Sequence, residues 1–190
     1  MQHPSLLPIF AAAVAIASPA HAADEAAQRI GAYDDAVIAI MKQKLAAGAR
    51  ADRFESVVRS YYDMPGIAAL VIGPGWSSAS AADRNAAIAA LTRHSAVSLA
   101  RNFKSYDGEK FAVDPTVATR GPNRIVKATI NGTVLLYQLH QAEGTWKIVD
   151  VVSGGVSQLA VQRSDLASTV ASGGAAGLAK RLQQVDAAAK

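Results

Sequence analysis

The 190-residue chain contains no cysteine, which excludes disulfide staples, thiolate catalysis, iron–sulfur clusters and zinc–cysteine sites together. Aromatic residues make up only 6%, so its core must be built mainly from alanine, valine, leucine and isoleucine. Of the four histidines only His94 and His140 lie beyond the N-terminal segment, far apart in sequence. No metal and no other cofactor is therefore expected. Lys and Arg outnumber Asp and Glu by 19 to 15, a formal net charge of +4, yet no block of basic residues occurs. Nucleic acid is not an expected partner. Two readings of the charge stay open: ordinary solubility, or a mild attraction to anionic headgroups of about 1 kcal/mol per basic group near such a surface.

The chain also lacks an apolar run of membrane-spanning length. Residues 6–17, LLPIFAAAVAIA, are too short to cross a bilayer as a helix. They are followed by Ser18-Pro19-Ala20-His21-Ala22, and Ala20-x-Ala22 fits the small-residue cleavage pattern of a secretory signal. The preceding MQHPS carries no Lys or Arg. The expectation is a cleaved signal peptide over 1–22, a periplasmic location, and one domain over 23–190, there being no internal repeat.

From residue 24 the hydrophobic period is helical. Ile30, Tyr33, Val37, Ile40, Met41 and Leu45 share one face of a helix expected over 24–48, with Gly48 as its stop. A second helix over 51–62 carries Phe54, Val57, Val58 and Tyr61 and is broken by Asp63-Met64-Pro65-Gly66. A short helix over 67–72 ends at Gly73-Pro74-Gly75 and leads to Trp76, either a gate or an anchoring core residue. Ser80-Ala81-Ala82-Asp83 has capping-box spacing and opens a long helix reaching Lys104.

The period then changes to two. Strands are expected over 109–119, 124–130, 133–140 and 145–152, joined by Gly121-Pro122-Asn123, Asn131-Gly132 and Glu143-Gly144. Turns this short dictate an antiparallel meander. Gly154-Gly155 is expected to close the sheet, a helix to return over 156–171, and Gly173-Gly174 to cap it before helix resumes through Leu178 and Leu182. The layout is α+β, with helices packed on a curved four-stranded antiparallel sheet. Such a sheet wrapped around a long helix has an interior, and small side chains leave room in it for an apolar cavity. A plain alanine-rich helical surface is the other reading of the same composition.

Catalysis needs a general acid or base and a partner that tunes it. The candidates are Asp63, Tyr137, His140 and Asp150. His140, at a strand end beside a turn, reads as a solvated surface histidine, and Asp63 as a helix cap or turn residue. Asp150 in the last strand and Arg163 in the following helix read as a structural ion pair. No nucleophile, base and orienting group converge, so no catalytic residue is expected and the chain is not read as an enzyme.

Four stretches in order carry a resemblance: YYDMPGIAALVIGPGW at 61–76, WKIVDVVSGGVS at 146–157, RSD at 163–165 and GGAAGLAKRL at 173–182. Together, over 26–182, they resemble the MlaC/toluene-tolerance family of periplasmic lipid-binding proteins that serve ABC transport systems. Gln162 stands where many members have tyrosine, Leu166 where they have phenylalanine, and Ser77 where a basic residue follows the tryptophan. These departures lean toward the hopanoid-associated HpnM branch. The resemblance implies an NTF2-like fold, a phospholipid or hopanoid ligand, a membrane-bound MCE-type ABC transport system as partner, and shuttling of lipid between membranes; a monomer is expected. Strand alternation then suggests Tyr137, Leu139, Trp146 and Ile148 as cavity lining. Val71, Ile72, Leu91, Leu99 and Phe103 would supply a helical wall. Core packing is an equal reading for each of the nine. An NTF2-like enzyme acting on a small apolar substrate, or a ligand-free adaptor of a membrane complex, are the alternatives.

Overall fold

The computed structural model describes residues 24–188, so the signal peptide expected over 1–22 lies outside the described residues. The helices are α1 (Glu25–Met41), α2 (Ala47–Tyr61), α3 (Met64–Ile72) with a 3₁₀ turn at Gly73–Trp76, α4 (Ala81–Asn102) and α5 (Gln158–Ala187). Between α4 and α5 run β1 (Phe111–Arg120), β2 (Asn123–Ile130), β3 (Thr133–Ala142), β4 (Thr145–Ser153) and β5 (Val156–Ser157). Among the described residues no helix is long and apolar enough to cross a membrane.

Local chemistry explains where the helices begin and end. Asp24 accepts the Ala26 backbone N–H at 2.8 Å and starts α1. The helix stops at Met41 rather than at Gly48, because its apolar stripe gives way to Lys42-Gln43-Lys44 and Lys44 has φ 52°. Gly48 sits instead in the first turn of α2. Ser80 Oγ accepts the Asp83 N–H at 3.0 Å and donates to the Asp83 carboxylate at 2.7 Å. The serine thus caps the helix and is itself held by the acid three residues on; it differs from a capping box in that Asp83 accepts the Ser80 hydroxyl and not its backbone N–H. At the other end of α4, Arg50 of α2 donates to the Ala100 carbonyl at 2.8 Å, pairing one of the helix's orphan acceptors.

The sheet is an antiparallel meander in the order β1-β2-β3-β4-β5. It has five strands, not four. Gly154 and Gly155 both adopt positive φ (57° and 81°), the geometry of a tight hairpin turn. The chain therefore reverses, and Val156 and Ser157 pair with Ser153 and Val152 before α5 starts. Two irregularities shape the ladder. Pro115 falls where the β1–β2 register shifts between Val113 and Val117, on an edge strand, where proline is tolerated. In β3–β4, Gln138 opposes Asp150 while Leu139 opposes Ile148, so Val149 is the extra residue of a β-bulge.

The core lies between the helices and the inner face of the sheet. Phe54, Ile30, Leu91, Leu139, Ile148 and Leu178 are among its fully buried side chains. The two layers are joined by Asp63 at the start of α3. Its carboxylate accepts the Gly66 N–H at 3.0 Å and the His140 Nε2–H at 2.7 Å, and its own backbone N–H donates to the Ile148 carbonyl at 3.0 Å. His140 is thus half-buried and paired, not a solvated surface group. Asp63 is the helix cap its position suggested.

A Cβ added at Gly66 would lie 2.0 Å from the Asp63 carboxylate oxygen, whereas one at Gly31, in α1, would meet nothing within 4 Å. Gly66→Ala should therefore lower stability by about 1–2 kcal/mol through loss of the cap. Gly31→Ala should raise it by roughly 0.5–1 kcal/mol through helix propensity. Urea midpoints with unchanged slopes measure both; equal effects at the two positions would remove the special role given to Asp63.

Candidate functional site

A cavity of about 570 Å³ opens between α4, the first half of α5 and the inner face of β3–β4. That volume is within the roughly 300–1,000 Å³ common for small-ligand sites. On the sheet side it is bordered by Leu135 and Tyr137 of β3 and by Val149, Val151 and Ser153 of β4. The bulge decides this set. Ahead of it Ile148 opposes Leu139 inside the sealed core, and after it Val151 and Ser153 oppose Tyr137 and Leu135 on the cavity wall. Because Val149 is the additional residue, two neighbours in sequence both turn inward, which simple alternation forbids.

Helix α5 supplies Leu159, Gln162, Asp165 and Leu166, with Val161 at the rim 40% exposed. Its start is fixed by Asp150. The carboxylate accepts the Ser157 hydroxyl at 2.6 Å, the Leu159 N–H at 3.0 Å and the Val151 N–H at 2.8 Å. The ion pair expected between Asp150 and Arg163 does not form; Arg163 is exposed, and the Asp150 carboxylate is taken up by Ser157 and the backbone N–H groups of Val151 and Leu159. Helix α5 runs to Ala187 with a break at Gly174, whose φ is 55°. All of its buried residues (Ala175, Leu178, Ala179, Leu182, Asp186) follow the break.

Helix α4 faces the cavity with His94, Ser95, Ser98, Leu99, Asn102 and Phe103. His94 Nδ1 is 2.8 Å from the carboxylate of Asp186, which is 9% exposed. At the inner end Tyr33, Tyr62 and Tyr137 cluster edge to face, with Tyr33 centroids 5.8 and 5.9 Å from the other two and hydroxyls of Tyr33 and Tyr62 3.1 Å apart. Burial pushes the Tyr62 hydroxyl up to about 12 and raises those of Tyr33 and Tyr137 as well. These phenols are neutral hydrogen-bonding groups at ordinary pH. Among the described residues neither histidine is hydrogen-bonded to a serine hydroxyl, and no three acids or histidines are grouped to hold a metal.

Of the nine lining candidates, Leu99, Phe103 and Tyr137 border this cavity. Leu91, Leu139 and Ile148 have no accessible surface, and Val71 and Ile72 are buried on α3. Trp146 is half-buried, with the Arg124 guanidinium 5.2 Å from its ring. Trp76 is half-buried against the core under Arg84. The α5 wall and the valines beyond the bulge were not foreseen. The GVS segment that turns β4 into α5 was the one sequence signal pointing to them.

A sequence profile of the family described as MlaC protein matches residues 32–184. No curated protein matches the chain. Among solved structures, the chain is similar to a phospholipid-binding protein from Ralstonia solanacearum, determined in complex with a phospholipid. The TM-score is 0.67 at 22% identity, over 88% of this chain and 100% of that one. At that identity the likeness speaks for the fold.

Asp34, beside Tyr33 on α1, is 4% exposed, and neither carboxylate oxygen has a hydrogen-bond partner among the described residues. Desolvation, then the neighbouring Asp35 charge, raises its pKa to about 7. A raised folded value means the folded chain holds a proton that the unfolded chain has lost. The stability from Asp34 is therefore complete below about pH 4 and is lost as pH rises through about 7. Asp34→Asn should flatten that dependence and raise stability at about pH 8 by on the order of 2–4 kcal/mol, with little change near pH 4. Denaturant titrations at the two pH values check this; an equal effect at both would rule out Asp34 ionisation as the cause.

Proposed function

The chain belongs to the MlaC protein family, whose profile takes in residues 32–184, and from that premise we propose that it is a periplasmic lipid carrier. It holds a phospholipid or hopanoid in the cavity between α4, α5 and the sheet, and shuttles it between membranes or membrane transport complexes. The observation that carries the reading is the cavity itself: about 570 Å³ with Leu135, Val149, Val151, Leu159 and Leu166 on its wall. The phospholipid held by the structurally similar Ralstonia protein supports it. Within this reading the sheet and the helix it embraces form an NTF2-like cone, residues 1–22 are the export signal, and an MCE-type ABC system delivers or receives the lipid.

Physical chemistry asks little more of such a carrier. Each methylene moved from water into an apolar site gains about 0.8 kcal/mol. A bilayer offers the same gain, so exchange between membrane and protein is near neutral, and what the protein removes is the crossing of water. No catalytic group is required for that task.

Protein purified from its native host should yield about one lipid per chain on organic extraction and mass spectrometry. Tryptophan at Val151 or Leu166 should lower that loading while the fold survives, at a stability cost of about 1–3 kcal/mol. Tryptophan at Leu139 or Ile148, which have no accessible surface, should unfold the protein instead. A protein that yields no lipid on extraction and takes none up would favour the adaptor; turnover of an extracted lipid would favour the enzyme.

A further inference from the structure

The cavity's two sides differ in chemistry. The sheet and α5 mix aliphatic groups with Asp150, Ser153, Gln158, Gln162 and Asp165, whereas α4 presents a continuous polar stripe, His94/Ser95, Ser98 and Asn102, at helical spacing. Ser95 and Ser98 are half-buried, and neither their hydroxyls nor the Asn102 amide hydrogen-bonds within the described residues. A purely apolar chain would leave these groups unpaired on being covered, at a cost for each. No Lys or Arg is among the described residues bordering the cavity, while Asp165 is. A phosphate drawn inside would meet no cation and an acid, so the polar group that belongs there is uncharged.

The hydrogen-bonding capacity narrows the choice further. A carboxylate only accepts, so the hydrogen bond to Asp186 places a proton on His94 Nδ1 and fixes the ring's orientation. Asp165 likewise only accepts, and the serines both donate and accept. An ester carbonyl, which cannot donate, satisfies only part of this set. A hydroxyl donates and accepts, so it can pair with an acceptor-only group and a serine at once.

We propose that the α4 stripe, with His94 oriented by Asp186, is a subsite for an uncharged hydroxyl carried on the apolar body of the lipid. The inference rests on the carrier reading and deepens it by naming a substrate class. The hydroxyl has two possible sources, a hydroxylated acyl chain or a hydroxylated pentacyclic triterpene. A phosphate headgroup stays outside the cavity in both.

The test loads delipidated protein from vesicles in matched pairs. One pair is phosphatidylcholine with a hydroxylated acyl chain against the same lipid without the hydroxyl. The other is phosphatidylcholine doped with a hydroxylated pentacyclic triterpene against its parent hydrocarbon. Wild type should prefer the hydroxylated member of at least one pair, and that pair names the source. The double variant Ser95→Ala/Ser98→Ala, helix-compatible at both positions, should lose about tenfold in loading of that lipid and leave the plain member unchanged. His94→Gln, which still donates to Asp186, should lose selectivity without losing the fold. Loading of both pairs without preference, or a loss shared equally by hydroxylated and plain lipid, would overturn the subsite and leave the carrier intact. Failure of wild type to load any of the four would overturn both.

Discussion

The arrangement of this fold depends on Asp63. Apolar contact between a helical layer and a sheet is non-directional and would tolerate sliding of one over the other. Three hydrogen bonds at a single residue remove that freedom, tying the first turn of α3 to His140 at the end of β3 and to the Ile148 carbonyl in β4. The adjacent Tyr62 bridges to Ile148 and shares its hydroxyl with Tyr33 of α1. Tyr62 therefore reaches the inner end of the cavity in a fixed position, and the walls contributed by helix and sheet meet in one register.

What was legible in the sequence was local. The Ser80–Asp83 cap, the Asn131-Gly132 hairpin and the change from helical to strand period each lie within a few residues of their consequence. The family resemblance, spread over four short stretches, located the sheet-to-α5 turn and the glycines of α5. What was not legible depends on partners far away. His140 meets Asp63 across 77 residues and His94 meets Asp186 across 92, and no spacing rule announces either pair. The bulge at Val149 is likewise a property of two strands together. Reading β4 by alternation alone therefore selects Trp146 and Ile148, one parity away from the residues on the cavity wall. Asp150 misled for a related reason: a carboxylate near a cation in sequence pairs with whichever donors geometry supplies, and here these are the backbone and Ser157.

Polar groups near the cavity share a common state. The buried tyrosines are held neutral by desolvation, Asp34 is driven toward its neutral form, and the histidine on the wall is paired to a carboxylate. Lys and Arg are missing from the described cavity lining and sit elsewhere, as in the Arg93 contacts to Asp52 and Glu55. An interior that offers hydrogen bonds without net cationic charge suits molecules with oxygen atoms on an otherwise apolar body.

The break at Gly174 gives the two halves of α5 unequal shares in the cooperative core. Everything that α5 buries fully comes after the break, among α3 and α4, while the half that walls the cavity contributes only partly covered side chains such as Leu159 and Leu166. Opening free energies within one protein range from near zero to that of global unfolding, and a segment with few buried apolar groups sits low on that scale. The wall segment is thus the less firmly packed half of α5, with a glycine at positive φ as the joint between the two halves. Molecules that enter the cavity add apolar contact to this weaker segment as well as to α4 and the sheet. Residence time is then set in part by residues 158–173, where a substitution meets no fully buried side chain of α5.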